Sequence, residues 1–295
     1  KIWNAFRLVK GWEVDDSLEQ PEHSAEAIRW FESQINRAFI KVDDQFLKYR
    51  VSDALMIVYK LFWDEFSSWY LETVKPAYQK PVDRATYEAT LRFIDKLMHM
   101  LHPFMPFITE EIWQLISERK PGESLMVSRM PAQESYDKKL RRHFGEIKEV
   151  ITAIRAVRKE KNIAPKETLK LMVRSAEGSK YRHYLEPVII KLANLSAVEM
   201  IQEEPEGAVS FIVKNVEYYV PVGSLADAGE ELEKLEAELE YTRGFLLSVQ
   251  KKMSNERFVR HAPEQVVEKE RQKIADAEGK ITVLEAQIKK LKEQA

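Results

Sequence analysis

The sequence predicts a mainly α-helical protein. Charged residues make up 32% of the chain and glycine only 9 of its 295 positions. That balance favours long solvated helices over tightly turned sheets. From Ile2 to Ile163 apolar residues recur largely at intervals of three and four, the period of a helix with one buried face. Residues 232–291 carry two apolar seams of heptad type.

The elements follow in order. Ile2, Trp3, Phe6 and Val9 are already helix-spaced, and the chain starts at Lys1 without methionine. It therefore reads as a piece cut inside or just before a helix. A loop over Asp15 to Pro21 leads to a second helix with Ile28, Phe31, Ile35, Ala38, Val42 and Phe46 on its apolar side. Val51 to Glu72 is a third, with Ser52 and Asp53 as start signals and Pro76 shortly past its end. Asp83 to Leu101 is a fourth and Pro106 to Glu118 a fifth. Between these two lies His102–Pro103–Phe104–Met105–Pro106–Phe107. Proline lacks a backbone donor and biases the preceding residue away from the helix, so the fourth helix stops near His102. Pro106 suits the first turn of the next. Phe104, Met105 and Phe107 are expected to pack between the two helices. Pro121–Gly122 ends the pattern, and Met126 to Gln133 reads as a linker.

The middle of the chain changes character. Tyr136 to Ile163 is an amphipathic helix with Phe144, Ile147, Ile151, Ile154 and Val157 on its buried side. Leu169 to Val173 is strand-like, and Lys180 to Ala193 returns to helix. Ala197 to Ile201, Val209 to Lys214 and Glu217 to Val222 are strands, with Lys214–Asn215 marking a tight hairpin turn. The result is a small α+β module.

The last part predicts an antiparallel helical hairpin. One seam runs through Leu232, Leu235, Leu239, Thr242, Leu246, Val249 and Met253. The other runs through Val267, Ile274, Ala277, Ile281, Leu284, Ile288 and Leu291, with Glu270 a polar exception. Ser254 to Pro263 turns the chain between them. Arms of about 25 residues make a rod of roughly 35–40 Å at 1.5 Å per residue, long enough to project. Acidic residues over Asp227 to Glu240 would lie beside basic ones over Lys280 to Lys292. The three expected parts are residues 1–130, 131–225 and 226–295.

Composition excludes several classes. Cysteine is absent, so disulfides and thiolate metal sites are excluded. No apolar run reaches the ~20 residues of a membrane span. A net charge of −2 argues against wholesale coating of nucleic acid. Its distribution is more telling: Lys138 to Lys161 holds nine basic side chains against three acidic ones. That segment suits a phosphate backbone. His99 and His102 lie three apart without a carboxylate or cysteine motif, so no metal site is expected. Glu110 and Glu111, early in a helix, offset its dipole and need no catalytic explanation.

With these residues in hand, the chain resembles the C-terminal part of the valyl-tRNA synthetases, a family of class I aminoacyl-tRNA synthetases. Lys1–Ile2–Trp3–Asn4–Ala5–Phe6–Arg7 and Phe66–Ser67–Ser68–Trp69–Tyr70–Leu71–Glu72 resemble the first and third helices of that family's anticodon-binding bundle. The His102 to Trp113 corner is shared with the isoleucyl and leucyl relatives. Ser254–Asn255–Glu256–Arg257–Phe258, Ala262–Pro263 and Val266 to Arg271 resemble the valyl coiled-coil arm, and these select the valyl family. The architecture implied is an anticodon-binding helical bundle, a small α+β junction module and a C-terminal antiparallel coiled-coil hairpin. An isoleucyl-type identity fits less well, because the zinc-binding cysteines common at that family's C-terminus are missing.

The resemblance implies a partner, valine tRNA, and no DNA or membrane. It implies a cytoplasmic setting and, since the two seams match within one chain, a monomer. A coiled-coil adaptor for another protein would instead leave an exposed seam and dimerise. No His-x-Gly-His element and no glycine-rich nucleotide loop is present. Lys251–Lys252–Met253–Ser254 resembles a Lys-Met-Ser-Lys loop only superficially, because Met253 sits in a seam and Asn255 follows. The chain is thus expected to bind tRNA without aminoacylating it, to contain no catalytic residue and to hold no cofactor. ATP and magnesium belong to the rest of such an enzyme.

By the same resemblance, Lys1, Leu8, Leu71 and Glu72, with Arg7 nearby, are the anticodon readers. Unpaired bases are held on aliphatic or aromatic surfaces and read at their edges, and a glutamate can accept from an exocyclic amine. Trp69 and Tyr70 are expected in the core. Lys148, Arg155, Arg158 and Lys159 are candidates for the tRNA backbone. Lys252, Arg257, Arg260 and Lys273 are candidates for its outer corner, with Phe258 packing the turn.

Overall fold

A computed structural model describes residues 1–175, 181–214, 216–222, 225–254 and 264–294. In the last two stretches side chains are described for 235–254 and for 267–289 except 283, 286 and 287. Among these described residues the chain is mostly helical, with two small sheets. It divides into two compact units, Lys1–Pro221 and Val222–Ala295.

The first unit opens with α1 (Ile2–Lys10), which buries Ile2, Ala5, Phe6 and Val9, the helix-spaced positions. A two-residue strand β1 (Val14–Asp15) pairs in parallel with β2 (Val82–Asp83), a bridge too short to leave a period in the sequence. Helix α2 (Glu22–Leu47) supplies the centre of the core. The Phe31 ring lies 5.0–5.4 Å from the rings of Phe66, Tyr70 and Phe93. The buried Tyr70 hydroxyl shares a 2.8 Å hydrogen bond with Thr90, and burial pushes its phenol well above the usual range. Trp30 stacks on Phe144 at 3.9 Å and stitches α2 to the middle helix.

The third predicted helix runs without a break but changes register twice. It is α3 (Val51–Lys60), a π-helical stretch over Leu61–Tyr70, and α4 (Leu71–Val74). Widened turns of this kind are rare and recur at functional sites. Helix α5 (Arg84–Leu101) is capped by Asp83, which accepts from the Thr86 N–H at 2.8 Å. Helix α6 (Pro106–Ile116) starts at its proline.

The corner between α5 and α6 departs from expectation. Phe104 is half-buried and stacks on Phe46 at 5.9 Å, but Met105 is exposed and Phe107 is 90% exposed. The buried stripe of α6 is Thr109, Ile112, Trp113 and Ile116, and Phe107 lies off it. His102 shares a 2.8 Å hydrogen bond with the Thr109 hydroxyl, and His99 meets the Asp95 carbonyl oxygen and the Ser128 hydroxyl. A 3₁₀ turn over Leu125–Val127 follows.

Helix α7 (Lys138–Glu160) leads into a four-stranded sheet of order β4-β3-β6-β5. Strand β3 (Leu169–Ser175) pairs in parallel with β4 (Leu195–Ile201), across the crossover helix α8 (Glu186–Ala193). β5 (Ala208–Val213) and β6 (Val216–Pro221) pair antiparallel, with Val213 opposite Val216. Lys214 has a φ of 57°, as a two-residue hairpin turn requires; Asn215 lies outside the described residues.

The second unit consists of α9 (Leu225–Met253) and α10 (Glu264–Gln294). Leu235 packs with Leu284 and Ile288, and Leu239 joins them. Glu238, in the first half of α9, pairs with Lys280, and Lys252 at its end pairs with Glu270 in the first half of α10, so the two helices run in opposite senses; Arg243 pairs with Glu285. Each seam position whose side chain is described is buried or half-buried. No helix among the described residues is long and apolar enough to cross a membrane.

Candidate nucleic-acid interface

Helix α7 begins where Asp137 accepts from the Lys139 and Leu140 N–H groups at 2.8 and 2.9 Å. The hydrogen bond from the Leu140 amide leads in holding this carboxyl below the usual range. Leu140, Phe144, Ile147, Ile151 and Ile154 then set the buried side, which leaves most of the helix's cations on the other.

Those cations meet different fates. Lys148 forms an ion pair with Glu65, and its ammonium lies 4.7 Å from the Trp30 ring and 5.1 Å from the Trp69 ring. Burial pulls it below the ordinary lysine value, although Glu65 pulls the other way. Arg155 is exposed, with its guanidinium 5.5 Å from Trp69. Trp69 therefore gathers Lys148 and Arg155 at one half-buried ring instead of sinking into the core. Lys159 is exposed.

Arg158 is a correction. It is 7% exposed and donates to the carbonyl oxygens of Ala164, Ala193 and Asn194 at 2.9–3.2 Å. It fastens α7 to the end of α8, with no open side for a phosphate. The signal was present: 151, 154 and 158 share one helical face, and two of them are isoleucines.

The anticodon candidates also divide. Lys1 places its ammonium 4.1 Å over the Trp63 ring, which stacks on Tyr59 at 5.1 Å. Leu8 is 47% exposed. Arg7 lines an open hollow of about 310 Å³ with Trp3, Phe6, Lys10, Gly11 and Leu115. Glu72 is exposed and holds Lys75 at 2.6 Å. Leu71 is 3% exposed and belongs to the core; it can support Glu72 but offers a base no surface.

In the second unit, Lys252 and Lys273 converge on one carboxylate oxygen of Glu270, at 3.0 and 3.1 Å. The polar exception in the seam is thus a clamp between two lysines. Their hydrogen bonds, that of Lys252 first, hold the Glu270 carboxyl below its usual range. Arg257, Phe258 and Arg260 lie outside the described residues.

Sequence reasoning missed Trp63 as a partner for Lys1, and it missed that Arg37 and Lys41 of α2 lie near Arg141 of α7. Gln34, Arg37 and Lys41 stand at i, i+3 and i+7 on α2, a spacing that reveals one polar face.

Comparison with known proteins gives this geometry a context. Residues 28–173 match the family described as the anticodon-binding domain of tRNA ligase. Residues 227–292 match the valyl tRNA synthetase tRNA binding arm. Both descriptions are of tRNA ligases. The valine–tRNA ligase of Parabacteroides distasonis is 53% identical over 288 residues, 98% of this chain and 32% of that protein. Those of Phocaeicola vulgatus and Bacteroides thetaiotaomicron are 54% and 51% identical, each over 99% of this chain and 33% of their own length. The chain belongs to the valine–tRNA ligase family and spans about a third of the length of the curated relatives it matches.

Proposed function

We propose that this chain is the tRNA-binding C-terminal part of a valine–tRNA ligase. It reads the anticodon of valine tRNA and touches the outer corner of the folded RNA, in support of ATP-dependent valylation by a catalytic module elsewhere in the enzyme. The observation that carries this is the occurrence, in one chain and in this order, of an anticodon-binding domain and a tRNA-binding arm. The working parts are residues 1–130, 131–225 and 226–295.

Lys1, Arg7, Leu8 and Glu72 are the anticodon surface, with Leu71 as its support. Arg155 and Lys159 meet the backbone, and Lys148 steadies Trp69 beside them. The last two helices act as a coiled-coil hairpin, a lever with Lys252, Arg257, Arg260 and Lys273 toward its tip. The matched seams, packed on each other through Leu235, Leu284 and Ile288, support a monomer over an adaptor that dimerises through them. This part of the enzyme needs no cofactor of its own; ATP and magnesium act in the catalytic module. The working compartment is the cytoplasm.

Titration with valine and non-valine tRNAs at two salt concentrations tests this reading. Valine tRNA is expected to bind more tightly, and Glu72→Ala to narrow the difference. Arg257→Ala with Arg260→Ala is expected to flatten the salt dependence. Equal binding of both tRNAs, untouched by Glu72→Ala, would remove the anticodon assignment.

A further inference from the structure

The cations not yet assigned a role include a group where α2 meets the start of α7. The Arg141 Nε donates to the Gln34 side-chain oxygen at 2.7 Å. Arg37 follows Gln34 by one turn of α2 and Lys41 by two, on the same face. The Arg141 guanidinium lies 5.7 Å from the Tyr136 ring, and the Lys138 ammonium 5.9 Å from it. Two helices thus bring Arg37, Lys41 and Arg141 together, with the Tyr136 ring and Lys138 on the Arg141 side.

The neighbouring acids are already committed. Asp44 holds Lys48 at 2.7 Å. Glu65 pairs with Lys148, Asp137 caps α7, and Glu134 faces the Asn36 amide at 3.5 Å. Among the described residues no carboxylate forms an ion pair with Arg37, Lys41, Lys138 or Arg141. Partial desolvation first, and then the charges of Arg37 and Arg141, pull the Lys41 ammonium below its ordinary value, although the residue is exposed. Burial first, and then Arg37, does the same to Arg141. Like charges held together without counter-charge repel and oppose folding unless an anion completes the group. The hydrogen bond that Arg141 Nε donates to Gln34 fixes one edge of the Arg141 fork and leaves its terminal nitrogens for bidentate donation, the geometry that suits a phosphate.

We propose that Arg37, Lys41 and Arg141 form a grip for the phosphodiester backbone of an RNA strand, with Lys138 at its rim. The proposal rests on the tRNA-binding reading above and adds to it a contact site on α2. A free phosphate or an acidic polypeptide presents fewer or less regularly spaced charges to such a row, so a nucleic acid strand is its occupant.

The test uses the full chain and a labelled valine tRNA transcript. The triple variant Arg37→Gln, Lys41→Gln, Arg141→Gln is expected to bind about 10- to 100-fold more weakly at low salt. The slope of log affinity against log salt is expected to fall by about 2 to 3, as the loss of three phosphate contacts requires. Lys41→Gln alone, at an exposed position with no ion pair, serves as the variant that must fold. Its loss is expected to be about 3- to 5-fold, with a melting temperature unchanged or raised because a repulsion has gone. Wild-type affinity and salt slope in both variants would overturn the grip while leaving the tRNA reading intact. Failure of the wild-type chain to bind tRNA would overturn both. Competition by a poly-glutamate peptide as strong as that by RNA would reassign the surface to acidic polypeptides and overturn the proposal.

Discussion

The two units bury apolar side chains in different ways. In Lys1–Pro221 a residue such as Phe31 is enclosed by rings from two other stretches of chain, Phe66 and Tyr70 of the π-helical segment and Phe93 of α5, and by Trp30 beside it in α2. In Val222–Ala295 a residue such as Leu235 is met by the opposite helix, through Leu284 and Ile288. The first is a core with depth, and the second a line of contacts with solvent on both flanks. Loss of one side chain should loosen the first unit as a whole and the second only locally.

The largest expected effect breaks or upholds that contrast directly. Phe66→Ala removes a fully buried ring from the first core and should cost about 3–5 kcal/mol; Leu284→Ala in the seam should cost about 2 kcal/mol, near the low end for such truncations because the gap opens to solvent. All six tryptophans precede Val222, so their fluorescence in urea reports the first unit alone. The first substitution should move that transition strongly and the second should leave it in place. An equal shift from both would mean the two units unfold as one.

A smaller effect sharpens the contrast within α7. Arg158→Ala leaves three carbonyl oxygens without their charged donor and should destabilise the first unit by about 2–3 kcal/mol. Arg155→Ala, three residues earlier, should leave the urea midpoint unchanged while weakening tRNA binding. A reversed pattern would exchange the roles given to the two arginines.

The smallest effect concerns Glu270. Its carboxyl is held below its ordinary value of 4.5 by Lys252 and Lys273. A depressed carboxylate contributes stability that is present above the unfolded value and is lost as pH falls through the folded one. Protection of the α9 and α10 amides, taken as exchange relative to the intrinsic rate at each pH, should therefore fall below about pH 4.5 in the native chain, beyond any change in Glu270→Gln. At pH 7 the variant should exchange slightly faster than the native chain. Identical profiles over the whole range would show that the clamp adds nothing to the seam.

Much of this molecule is written locally. The heptad spacing of Leu235, Leu239, Thr242 and Val249 places them on one side of α9 whatever that side meets. Pro106 starts α6 because a proline N–H is not needed there. The strands β5 and β6 follow from runs rich in β-branched and aromatic residues, and Lys214–Asn215 from turn chemistry. By contrast, the β1–β2 pair is two residues long on each side and 68 positions apart in sequence (Val14 opposite Val82), so no window of sequence contains it. The π-helical register of Leu61–Tyr70 shares its apolar spacing with an ordinary helix and is equally invisible.

The chain by itself thus determined where helices and strands lie, which face of each is apolar, and the family to which it belongs. Tertiary structure alone decided what each charge does. Lys148, Arg155 and Arg158 are alike in sequence, yet one pairs with Glu65, one lies open against Trp69 and one is buried against the carbonyls of Ala193 and Asn194. Periodicity is a property of neighbours along the backbone. Whether a cation is neutralised, buried or left for a phosphate depends on groups dozens of positions away, brought to it only by packing.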